Sequence, residues 1–237
     1  MYKYEFDSNK CWYNKVCKKY NTEECRGNCK RFMEMDYLFY KSNIPKRLQR
    51  PIKLYPCKSD LSAFHELNDI KNDIENWVKG GNNLFIGSSI CGNGKTTWAI
   101  KLMCSYFDKV WAGNCFTPRG LFINVCDFLM EFKLGINDTK IKEKVTNILK
   151  LAEIVDLVIF DDIADVSFSK YEYQIIYKII NNRINDGKSN IYTSNFLDVE
   201  LENNIGTRLY SRIYNNSKVI ELVGKDRRSY GTTTDFK

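Results

Sequence analysis

Residues 83–97 read NLFIGSSICGNGKTT: an apolar pentapeptide, a turn with glycines at 87, 92 and 94, then the start of the helix-forming run KTTWAIKLMCSYF. No other stretch restricts the fold as strongly. Glycines let backbone amides in the turn point inward at an anion. The helix N-terminus behind them adds positive partial charge. Gly92-Asn93-Gly94-Lys95-Thr96-Thr97 is therefore the end of a phosphate-binding loop. In such a loop Lys95 bridges the β- and γ-phosphates of ATP and the Thr96 hydroxyl ligates Mg²⁺. One position departs from the full pattern, with Ser89 standing where a first glycine is expected. Gly87 lies two residues earlier, so a remodelled loop entry is expected.

A second motif matches the first. Leu157-Val158-Ile159-Phe160-Asp161-Asp162 is a buried strand pattern ending in two carboxylates. In an open α/β sheet that end faces the ligand edge. Asp161 is expected to hold the hydrated Mg²⁺, and Asp162 to orient or polarise the attacking water. A glutamate more often fills the second position, and aspartate is one methylene shorter, which leaves weak hydrolysis open. The next strand ends in Thr193-Ser194-Asn195, where Asn195 is placed to bond the γ-phosphate or the water.

The segments around these motifs alternate. NLFIG (83–87), GLFINV (120–125), DLVIFDD (156–162), NIYTSN (190–195) and KVIELVG (218–224) read as strands. Helical patterns fall over 95–107, 126–134, 139–153, 170–186 and 198–215. Apolar strands separated by helices imply a parallel sheet covered on both faces. Upstream, Ser59 or Asp60 can cap a helix with an apolar stripe of Leu61, Phe64, Ile70, Ile74, Trp77 and Val78, which Gly80-Gly81 ends. The single histidine, His65, sits in that helix and excludes metal sites that need two imidazoles. No apolar run reaches the ~20 residues of a membrane helix, and the N-terminus lacks the apolar stretch of a signal peptide. A cytoplasmic protein without a membrane partner is expected.

GNGKT, LVIFDD, IYTSN and the later Arg208-Leu209-Tyr210-Ser211-Arg212 together resemble the AAA+ ATPases of the DnaC/DnaI replicative helicase-loader family. Ile44-Pro45-Lys46-Arg47 resembles the segment that precedes the ATPase body there. The resemblance covers about residues 42–230 and is greater to the phage and Gram-positive members. It implies a P-loop AAA+ parallel-sheet core without a C-terminal lid domain, and ATP hydrolysis in a homo-oligomer assembled by ATP. It implies a trans arginine finger, Arg212 first and Arg208 second, with Arg227 or Arg228 as a cis sensor. The implied partners are the replicative hexameric helicase and single-stranded DNA, in a bacterial or phage-infected cell. An IstB-type transposition-helper ATPase shares the core and is an alternative. So is a nucleotide-gated helicase-binding adaptor with negligible hydrolysis, which Ser89 and Asp162 motivate.

Three of the four prolines, Pro45, Pro51 and Pro56, crowd into residues 42–57 and mark a basic linker. The chain thus divides into a Cys-rich module (1–41), the linker (42–57) and the ATPase domain (58–237). Cys11, Cys17, Cys25 and Cys29 place four thiols within 19 residues. Reduced thiolates in that number suit a closed tetrahedral Zn²⁺ site. Incidental cysteines and an iron–sulfur cluster are the alternatives. Gram-positive loaders are similar in carrying an N-terminal zinc-binding region that docks on the helicase. The net charge of +7 is also unevenly placed: residues 1–58 hold 14 Lys and Arg against 6 Asp and Glu, and the remainder is nearly neutral. These cations are interleaved with Trp12, Tyr13, Tyr20, Phe32, Tyr37 and Tyr40. They could bind single-stranded DNA, form a solvated face over a small core, or dock on an acidic helicase surface.

Overall fold

The computed structural model describes residues 2, 4–164 and 168–226. Arg227 and Arg228 lie outside them. Five strands form one sheet: β1 (Asn83–Gly87), β2 (Gly120–Asn124), β3 (Leu157–Asp161), β4 (Ser189–Ser194) and β5 (Ser217–Glu221). Every pairing is parallel and the order is β2-β3-β4-β1-β5. β1, β3 and β4 are buried along their whole length, as near-continuous apolar runs require when both faces are covered.

The covering helices are α1 (Lys30–Ser42), α2 (Leu61–Asn72), α3 (Ile74–Lys79), α4 (Lys95–Val110), α5 (Val125–Leu134), α6 (Thr139–Ile154), α7 (Lys170–Asn185), α8 (Asp198–Ile205) and α9 (Thr207–Ile213). On one face, Leu67, Ile74, Trp98, Leu102 and Phe107 of α2–α4 pack on Leu84, Ile86, Ile159 and Ile191. On the other, Phe128, Ile148, Ile176, Ile180, Leu201 and Leu209 of α5–α9 pack on Phe85, Val158, Phe160 and Tyr192. No helix among the described residues is long and apolar enough to cross a membrane.

Local chemistry explains the boundaries. Asp138 accepts from the amides of Lys140 and Ile141 and starts α6. Ser169 and Glu172 form a reciprocal capping box on α7. The expected single helix up to Val78 is broken at Asp73, where φ and ψ are −107° and 25°. Gly80 closes α3, and Gly81 follows with φ of 66°. Asp60 is the N-cap residue of α2, as expected. Its carboxylate makes no cap bond and instead accepts from the amides of Val223 (2.7 Å) and Gly224 (2.9 Å), just past β5.

Described residues of the N-terminal segment pack into the core of the body. Tyr13, Met35, Leu38 and Phe39 are buried in the α2–α4 core. Glu34, 1% exposed, accepts from Asn114 Nδ2 and the Phe116 amide, both at 3.2 Å. That bond holds a loop in which Cys115 and Phe116 both have positive φ. The Arg31 guanidinium lies 3.5 Å from the Tyr13 ring centroid and 5.4 Å from that of Trp111. Part of the basic–aromatic interleaving is thus internal packing.

Candidate functional site

The parallel order brings the ends of β1, β4 and β3 side by side. Gly87 pairs with Ser194, and Phe160 with Tyr192. The phosphate-binding loop, Asn195 and Asp161 therefore share one edge of the sheet. At Gly87 a side chain would collide with Leu197, its Cβ falling 2.2 Å from Leu197 Cδ2.

The loop is built around Ser88, not Ser89. Ser88 is fully buried, and its Oγ accepts from the Ile90 amide (3.0 Å) and from Asn93 Nδ2. Ser89 has no positive φ, so its position does not need glycine. Gly92 and Gly94 do, with φ of 75° and 109°. Gly94 is the N-cap of α4, and no side chain caps the first amides of the helix. The amides of this first turn lie at the positive end of the macrodipole. Lys95 is 5% exposed and its Nζ donates to the Ile90 carbonyl at 3.1 Å. Thr96 and Thr97 follow, half-buried in the first turn.

The acidic end of β3 is pinned by β4. Asp161, 3% exposed, accepts from Thr193 Oγ1 at 2.7 Å. The Asp162 amide donates to the same Oγ1 at 3.0 Å, and the Ile163 amide to the Thr193 carbonyl at 3.0 Å. Asp162 takes φ of 56°, which ends the strand and turns its side chain away from the β period. Asn195 approaches from β4, its Oδ1 lying 3.8 Å from the Cys91 thiol of the loop. Three elements expected to act together are therefore neighbours. A hydroxyl (Thr96) and a carboxylate (Asp161) make an oxygen donor set of the kind Mg²⁺ takes.

Sequence reasoning missed the segment after β5. The Leu222 carbonyl accepts from Asn93 Nδ2 at 2.9 Å, and the Leu222 amide donates to Gly87 at 2.9 Å. A Cβ built on Gly92 would fall 1.9 Å from Asp226 Oδ1. Residues 222–226 thus run as a strap from Asp60 across the loop. It also missed Thr193, for which the available signal was a hydroxyl inside a fully buried strand. On α9, Arg208 is exposed and Arg212 half-buried, opposite Leu209 and Ile213, which enter the core.

The structure does not show the four-thiolate site of Cys11, Cys17, Cys25 and Cys29. Among the described residues no group of three or more His, Cys, Asp or Glu side chains is placed to hold a metal ion. Cys11 and Cys17 pack against the core, whereas Cys29 is exposed. Burial raises the Cys11 thiol, and the neighbouring Cys29, Cys17 and Cys25 add to the rise. The thiols are near one another, but two serve as small apolar groups and do not converge as donors.

No protein-family model matches the sequence, and no curated protein matches it significantly. Solved structures do share the fold. A DnaC helicase loader is 21% identical with a TM-score of 0.59, over 75% of this chain and 99% of that one. DnaI is 18% identical with a TM-score of 0.60, over 79% and 95%. DnaA from Aquifex aeolicus, bound to AMPPCP, is 20% identical with a TM-score of 0.56, over 73% of this chain and 50% of that one. The parallel five-stranded core is thus similar to that of DnaC, DnaI and the matched half of DnaA.

Proposed function

We propose that this protein is an ATP-dependent loader that delivers a replicative hexameric DNA helicase onto single-stranded DNA. The observation that carries the reading is the meeting of the phosphate-binding loop, buried Asp161 and Asn195 at one sheet edge. It occurs in a fold shared with DnaC and DnaI over nearly their whole length.

In this reading the amides of Gly92, Asn93 and Gly94, with Lys95 and Thr97, bind the phosphates of ATP. Thr96 and Asp161 would hold Mg²⁺, which when bound offsets charge on the phosphate oxygens. Asp162 and Asn195 orient the attacking water. Arg212, with Arg208 as second choice, reaches the site of the next subunit in an ATP-assembled homo-oligomer. Residues 1–41 face the helicase, 42–57 connect, and 58–237 hydrolyse ATP. The setting is the cytoplasm of a bacterial or phage-infected cell. Zinc stands outside this reading because the donors do not converge; one equivalent of zinc per purified chain would return the four thiols as ligands.

The test is co-purification with the host replicative helicase and ATP-dependent loading onto single-stranded circles. Lys95→Ala is expected to abolish loading together with nucleotide binding. Absence of helicase binding at micromolar concentration would refute the loader, and a preference for duplex DNA with a transposase partner would replace it with a transposition helper.

A further inference from the structure

We infer that Thr193 is a positioning residue that sets the Asp161 carboxylate and the Asp162 backbone through a single shared hydroxyl. The inference rests on the ATP and Mg²⁺ reading above and adds a residue to it.

Thr193 is fully buried near the C-terminal end of β4. A threonine hydroxyl has one proton to donate and two lone pairs to accept with. The Asp162 amide is a donor, 3.0 Å from Oγ1, so the hydroxyl accepts there. Its proton then goes to Asp161 Oδ1, 2.7 Å away. Neither direction is interchangeable, so the hydroxyl fixes the Asp161 carboxylate and the Asp162 backbone at once. The Thr193 carbonyl adds a third bond, from the Ile163 amide at 3.0 Å. Such pinning has a purpose. Asp162 sits at φ of 56°, a region that non-glycine residues seldom adopt. Where Asp162 points depends on holding that conformation, and the bond to its amide holds it.

An apolar isostere removes both hydroxyl bonds and keeps the shape. Losing the partner that orients a ligating carboxylate costs about 10–100-fold in metal affinity or activity. Asp161 is placed to ligate Mg²⁺, so the defect should appear in the Mg²⁺ requirement and not in phosphate binding by the loop.

The experiment uses the full chain and a fluorescent ATP analogue titrated with Mg²⁺. In Thr193→Val the Mg²⁺ midpoint should rise about 10–100-fold, with Mg²⁺-free affinity unchanged. Thr193→Ser should return the wild-type midpoint. Hydrogen exchange at the Asp162 amide should be slow in wild type and Thr193→Ser, and fast in Thr193→Val. A wild-type midpoint in Thr193→Val overturns the inference. So does an Asp162 amide in wild type that exchanges like an unprotected one. That second measurement decides the matter if the valine variant does not fold. If the wild type binds no nucleotide at any Mg²⁺ concentration, the ATP reading fails separately, and the amide still reports whether Thr193 holds the pair.

Discussion

Replacing Asp60 with alanine should loosen the strap that crosses the phosphate-binding loop. Asp60 is 4% exposed and accepts from two consecutive amides, Val223 at 2.7 Å and Gly224 at 2.9 Å. Hydrogen bonds to a charged group contribute about 1.5–3 kcal/mol each. The two do not cost the same to lose. Val223 is 48% exposed, so water can reach its amide, while Gly224 is buried and its amide is left without a partner. The net loss is about 3 kcal/mol, which for a chain of this size lowers Tm by about 6–12 °C. Asp60→Asn keeps a carbonyl acceptor and should lose about half as much. The assay is thermal melting of both variants, paired with hydrogen exchange at residues 223 and 224. Those two amides should lose protection first, because both donate directly to the carboxylate, whose other oxygen accepts from the Cys57 thiol at 3.1 Å. An alanine variant that melts within about 1 °C of wild type, a loss of under ~0.5 kcal/mol, would refute the reasoning. So would unchanged exchange at both amides.

Two further predictions follow from the same bookkeeping. Arg183, 1% exposed, donates to Asn190 Oδ1 and to the carbonyls of Ala152, Val155, Asp156 and Ser189 at 2.6–3.2 Å. Arg183→Met leaves those acceptors buried and should destabilise the chain by about 3–5 kcal/mol; a urea midpoint close to wild type would contradict the hub. Gly92→Ala places a Cβ at φ of 75° and 1.9 Å from Asp226 Oδ1. The left-handed backbone costs about 1–2 kcal/mol, so nucleotide affinity should fall about tenfold. Adding Asp226→Ala removes the collision but not the backbone cost, so full recovery in the double variant would show that the conformation at Gly92 does not matter.

The sheet was legible in the sequence because its strands are short apolar runs bounded by glycine, proline or carboxylate, and each carries its own signal. The loop, Asp161 and Asn195 were legible for a related reason, since each polar group sits at the end of such a run. What escaped were bonds between residues far apart in the chain. Asp60 lies where a helix begins, and its partners are about 160 residues away. Nothing local separates a capping aspartate from one that reaches across the molecule. Thr193 escaped because it adjoins Asn195, whose role the motif already supplies. Ser88 escaped because the missing glycine drew attention to Ser89.

The N-terminal segment shows the same limit from the other side. Its composition suggested a unit too short to bury a core, and metal followed as the remaining source of folding energy. Tyr13, Met35, Leu38 and Phe39 are instead buried against α2–α4, and Glu34 fastens the segment to the 114–116 loop. The described residues of the segment therefore have a source of folding energy besides a metal. The basic surplus is redistributed as well. Arg31 is spent on Tyr13 and Trp111, and Lys19 pairs with Glu24. Lys46 and Arg47 are exposed on the linker just beyond α1. An acidic or phosphate-bearing partner attracted by these side chains would meet them on a segment packed into the same core as the phosphate-binding loop's helix α4.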